Sequence, residues 1–118
     1  MLLSLVREKV IQRGKIMPTT TNDIRMWLKE AKESNCTHLM VVCDTYDWED
    51  YPINIYPKGE SPYPTAHDDL EKAIKQFDGL NMQKIMEIYD LSKDVEKQLN
   101  QYRVGLELVE KVRSQSNH

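Results

Sequence analysis

The sequence predicts an α+β fold: a small antiparallel sheet covered by helices, with a long C-terminal helical arm. Three observations carry the prediction. Residues 37–43 put apolar side chains on both faces of an extended chain, Leu39, Val41 and Cys43 on one and Met40 and Val42 on the other. That is the pattern of a central strand covered on both sides. Residues 22–34 and 65–78 each carry one apolar face at i, i+3, i+4, i+7, the period of a surface helix. From Met82 to Val112 the apolar residues continue at steps of three and four.

Taken in order, the chain opens with Leu3, Val6 and Val10 at helical spacing and Gly14 placed to end a helix. Residues 17–21 read as a linker, and Met17 offers an alternative start. Helix one spans about residues 22–34, capped by Thr20 or Thr21, with Asp23 suited to the first turn and Ile24, Trp27, Leu28 and Ala31 on its apolar face. The strand at 37–43 comes next. Ile53-Asn54-Ile55-Tyr56 reads as a second, short strand between Pro52 and Pro57, suited to a sheet edge, and the pair forms a long-looped hairpin. Two strands make a poor sheet, so a third is expected from residues 1–16 or from another subunit. Helix two starts from Thr65 as cap and uses Leu70, Ala73, Ile74 and Phe77, with Gly79 ending it. Asn81 is placed to cap the next helix. Residues 80–115 then form one bent helix, or two joined near Ser92. Their near-heptad stripe, Met82 through Val112, is suited to seam against a second copy.

The 118 residues make a single domain. Its parts are an extension and linker (1–21), a helix–strand–loop–strand–helix core (22–79) and the arm (80–115). No apolar run approaches the length that crosses a bilayer. Leu2 to Val6 is too short for a secretory h-region, so the expectation is a cytoplasmic protein with no membrane partner. Cys36 and Cys43 stand at the two ends of one strand, too far apart for a disulfide. The net charge of −3 hides a gradient: residues 36–70 hold seven acids and one base, Lys58. An acidic middle segment argues against duplex nucleic acid as a partner.

Chemistry concentrates where the central strand ends. Asp44, Asp47, Glu49 and Asp50 stand just beyond it, and His67, Asp68 and Asp69 come later. Converging carboxylates suit hard cations such as Mg²⁺. Alternatively, they cap turn amides and keep a sheet edge soluble. Tyr46, Trp48, Tyr51, Tyr56 and Tyr63 are five of the nine aromatic residues, within eighteen positions. Rings on stiff loops make contact surfaces that lose few rotamers on binding, or they fold back as a lid. Arg103, next to Tyr102, is the cation that would meet an anion beside the aromatic loop. No Ser/His/Asp or Cys/His arrangement is present.

Thr37-His38, Val41-Val42-Cys43-Asp44-Thr45-Tyr46-Asp47 and Glu49-Asp50-Tyr51-Pro52 resemble the shared wording T-H-x-x-V-V-C-D-T-[FY]-D-x-E-D-Y-P of a family of small, uncharacterised bacterial and phage proteins. The resemblance continues at Asn81-Met82-Gln83, Met86-Glu87, Tyr89 and Gln98 to Arg103, covering roughly residues 35–103. It implies a phage anti-defence context, in which small non-catalytic proteins sequester nucleotide-derived immune signals. The acidic loop departs from that chemistry, because it repels phosphate unless Lys58, Arg103 or a partner subunit's bases stand close.

The expected function is non-enzymatic binding of a nucleotide-like ligand by a homo-oligomer. Tyr46, Trp48 and Tyr51 would stack, Asp44 and Asp47 would accept hydrogen bonds, and Tyr56, His67 and Arg103 would flank the site. No cofactor or resident metal is expected. The alternatives are a metal-dependent phosphodiesterase using Asp44, Asp47 and Asp50, and an acidic protein-interaction module that inhibits a host protein.

Overall fold

Strand β1 (His38–Asp44) lies at the centre of a three-stranded antiparallel sheet, between β2 (Glu49–Ile55) and β3 (Gln83–Asp90). The computed structural model describes residues 19–64, 66–79 and 82–116. Helix α1 (Thr21–Glu33) precedes β1, α2 (Leu70–Phe77) joins β2 to β3, and α3 (Val95–Leu99) and α4 (Leu106–Ser116) come after β3. The expected α+β class with a small antiparallel sheet is what forms. The helix expected over 1–16 lies outside the described residues.

The alternation in β1 sends its side chains into two cores. Met40 and Val42 join Ile55, Ile85 and Ile88, and α2 and α4 cover that face with Ala73, Ile74, Phe77, Val109 and Val112. Leu39 and Val41 join Tyr89 and Leu91 on the other face, under Ile24, Leu28 and Ala31 of α1. Each fully buried aliphatic side chain contributes about 1.5–3 kcal/mol. Strand β1 therefore anchors both layers, as its residues predict.

Helix α1 begins as its sequence indicates. The Asp23 N–H donates to Thr20 Oγ1 (3.1 Å) and the Thr20 N–H donates to Asp23 Oδ2 (2.9 Å), a reciprocal capping box. Helix α2 keeps its predicted apolar face but starts later than expected. Its cap is Asp69, whose Oδ1 accepts the Lys72 N–H at 3.1 Å. Thr65, the expected cap, lies outside the described residues, and His67 precedes the helix.

The long C-terminal arm does not form. Its first part is β3, which supplies the third strand from within the chain, and its last helix is α4 alone. The helical spacing within β3 comes from a β-bulge. Across β1, Ile88 faces Met40 and Glu87 faces Val41, but Val42 faces Ile85, so Met86 is the extra residue. A bulge shifts the two-residue alternation by one. Ile85 and Ile88 consequently share a face at a separation of three, which in sequence imitates a helix. The stripe expected to join two copies is largely used within the chain: Ile85, Tyr89, Val109 and Val112 are buried, and Val95, Leu99 and Leu106 pack against the two cores.

After α3 the chain returns along the outer edge of β3, where the Ile88 N–H donates to the Val104 carbonyl at 2.9 Å. Gly105 is required there. Its φ is +79°, and a Cβ would stand 2.3 Å from the Ile88 carbonyl oxygen. Buried Gln98 pins the same region by accepting the Asp90 N–H (2.8 Å) and donating to the Asp90 and Asp94 carbonyls (2.9 and 3.2 Å). Among the described residues no helix is long and apolar enough to cross a membrane.

Candidate binding surface at the β1–β2 turn

The hairpin is tighter than the sequence suggests. Pairing continues until Asp44 meets Glu49, so Thr45 to Trp48 are the whole connection and Glu49, Asp50 and Tyr51 belong to β2. The Trp48 N–H donates to the Asp44 carbonyl at 2.6 Å. Asp44 Oδ1 accepts the Tyr46 N–H at 2.8 Å, and Asp47 Oδ1 accepts the Glu49 N–H at 3.1 Å. Both carboxylates thus hold the turn, as Asp does in loops. Thr45 fastens the turn to the start of β3, its N–H and hydroxyl both donating to the Met82 carbonyl (2.7 and 3.0 Å).

The outcome is a fixed backbone with large side chains displayed. Tyr46 is 78% exposed, Trp48 62% and Met82 55%. Trp48 and Met82 both have left-handed backbones, with φ of 61° and 62°. That region costs an L-residue roughly 1–2 kcal/mol, and bulky residues seldom occupy it. No local signal in the sequence shows that Thr45 binds Met82.

Tyr51 belongs to the core rather than the display. It stands opposite Val42, packs against the α2–α4 side of the sheet, and its hydroxyl oxygen accepts a hydrogen bond from Gln83 Nε2. Burial pushes its phenol above the usual range.

Tyr56 and His67 come together elsewhere, at the opposite end of β1. Seven extended residues span about 20 Å, so this end is remote from Trp48. The Tyr56 N–H donates to the His67 carbonyl at 2.7 Å. The Tyr63 ring lies 6.2 Å from Tyr56 and 4.9 Å from His67, and His67 meets Phe77 edge-on at 5.8 Å. Burial lowers the His67 pKa, opposed by neighbouring Asp68. Arg103 occupies a third place, the loop on the outer edge of β3, with its guanidinium carbon 6.0 Å from the Tyr102 ring centroid and a φ of 54°.

Of the eight residues proposed from sequence, Asp44, Tyr46, Asp47 and Trp48 therefore form one surface. Tyr51 stands beneath it, while Tyr56 with His67 stand at the opposite end of β1 and Arg103 in the loop on the outer edge of β3. Among the described residues no three His, Cys, Asp or Glu side chains are grouped to hold a metal ion. Comparison with family models, curated proteins and solved structures gives no match.

Proposed function

We propose that this chain is a non-enzymatic binding protein whose contact surface is the β1–β2 turn, with Tyr46 and Trp48 as anchors for a partner protein. One observation carries the reading: two large aromatic side chains stand exposed on a turn whose backbone is pinned by five hydrogen bonds to Asp44, Asp47 and Met82. Exposed aromatics on a rigid support bury much area while losing little entropy, and Trp and Tyr lead among interface hot spots. The strained Trp48 backbone supports the same reading, since strain of this kind gathers at ligand contacts. A cytoplasmic setting accords with it.

The test is site-specific photocrosslinking in the producing cell with a photoreactive residue at position 46. The expected result is a discrete protein adduct that disappears when Trp48→Ala is added. An adduct pattern indifferent to Trp48→Ala removes the reading.

A nucleotide-derived ligand, the anti-defence reading, is the second proposal. The same exposed rings favour it, because an aromatic face stacks on any base, and the second oxygens of Asp44 and Asp47 can accept from base or ribose groups. Arg103 does not stand beside the turn to meet a phosphate, which ranks this reading behind the first. Calorimetry against cyclic and ADP-ribose nucleotides decides it: heat that vanishes in Trp48→Ala supports it, and no heat with any of them removes it.

A further inference from the structure

We infer that the group seated on the β1–β2 turn is cationic, the Lys or Arg side chains of a basic protein segment; this rests on the protein-binding reading above. Tyr46 and Trp48 are largely exposed, and the negative face of an aromatic ring attracts ammonium and guanidinium groups, Trp most strongly. Asp44, Asp47, Glu49 and Asp50 belong to the same turn and the strand ends that flank it. Among the described residues none of these four carboxylates is ion-paired, whereas Glu33, Glu71, Asp78, Asp90 and Glu96 all are. Of the residues paired across this end of the sheet, only Lys84, opposite Cys43, is basic. Among the described residues, the turn and its flanks therefore carry a net negative charge beside two exposed rings.

The two features divide the work. Exposed carboxylates alone add little affinity in water, but a one-signed field speeds encounter and rejects acidic partners. The rings supply the contact that persists after encounter. The carboxylates are also held in place: Asp44 and Asp47 each commit one oxygen to a turn amide, so the other is positioned without further ordering. At the Tyr102 loop the chain places its own Arg103 beside a ring; at the turn, among the described residues, no cation lies over either ring.

The experiment uses the full chain carrying Trp27→Phe, which leaves Trp48 as the one fluorophore of its kind. It is titrated with oligo-arginine, oligo-lysine and oligo-glutamate peptides. The expected result is a Trp48 signal with both basic peptides and none with the acidic one, with affinity falling at least about tenfold between about 0.05 and about 0.5 M salt. Asp44→Asn with Asp47→Asn keeps the acceptor oxygens that hold the turn and removes the charge. That pair should weaken binding about fivefold, with thermal stability as the check on folding. Trp48→Ala, followed by calorimetry, should weaken it about tenfold. Glu107→Gln with Glu110→Gln on α4 removes equal charge elsewhere and should leave binding unchanged. Equal loss in the α4 variant, or equal binding of oligo-glutamate, overturns the inference. If basic peptides fail to bind while the photocrosslinked partner still depends on Trp48, the inference falls and the protein-binding reading stands.

Discussion

Both ends of β1 carry aromatic rings beside carboxylates, and the two ends use them in opposite ways. At the His38 end, Tyr56, Tyr63, His67 and Phe77 lean on one another in sequence. The acids there serve the fold: Asp68 accepts the Gly59 N–H at 2.8 Å and Asp69 caps α2. At the Asp44 end the acids also hold backbone, but the rings are largely exposed. Chain length separates the two outcomes. Fourteen residues join β2 to α2, enough to fold a strap back over the core, while four join β1 to β2. Composition alone therefore does not distinguish a lid from a display; the number of residues between anchor points does.

The contrast can be tested from its strongest point downward. Phe77→Ala removes the base of the ring series and should destabilise the protein by about 3–5 kcal/mol in urea denaturation. Trp48 emission in the Trp27→Phe background should keep its native position. Simultaneous disturbance of the turn would mean that the ends are coupled. Tyr63→Ala should cost about 0.5–1.5 kcal/mol although Tyr63 is 52% exposed, whereas Tyr46→Ala, at the displayed end, should stay within about 0.5 kcal/mol. Equal costs in thermal denaturation would erase the distinction. Trp48→Gly should leave stability unchanged or raise it by up to about 1 kcal/mol, because glycine accepts the left-handed backbone, while abolishing the crosslinked adduct.

The smallest effect is a response to pH confined to the strap end, where both described histidines reside. Burial holds His38 and His67 below their ordinary 6.5, with Asp90 and Lys93 acting on the first and Asp68 on the second. As pH falls, the unfolded chain takes up these protons before the folded one. Stability is thus complete above about pH 6.5 and declines below it, until the folded-state values are passed. The melting temperature should drop between about pH 7.5 and 5.5, and drop less in His67→Gln.

Much of this arrangement is legible in the residues. The two-sided alternation of Leu39 to Cys43 places β1 centrally, and Thr20 or Thr21 with Asp23 in the first turn marks the start of α1. Asp44 to Trp48 are recognisable as one surface because so few residues join them. The third strand is not legible, because the extra residue at Met86 converts alternation into helical spacing. Tyr51 is readable only once β2 is extended back to Glu49, when Tyr51, Ile53 and Ile55 fall on one face. The separation of Tyr56, His67 and Arg103 from the turn depends on where the long connections return, which no local pattern encodes. The helix start at Asp69 is obscured by Thr65, an equally suitable cap upstream.

The seat of Gly105 against Ile88 has one more consequence. By occupying the Ile88 amide, the returning chain closes the middle of one margin of the sheet. On the other margin Pro52 has no N–H to offer. A foreign strand seeking to extend the ladder meets an interruption on either side. Interruptions of this kind work against edge-to-edge growth in natural sheets, and they leave the ends of the strands as the unobstructed approach.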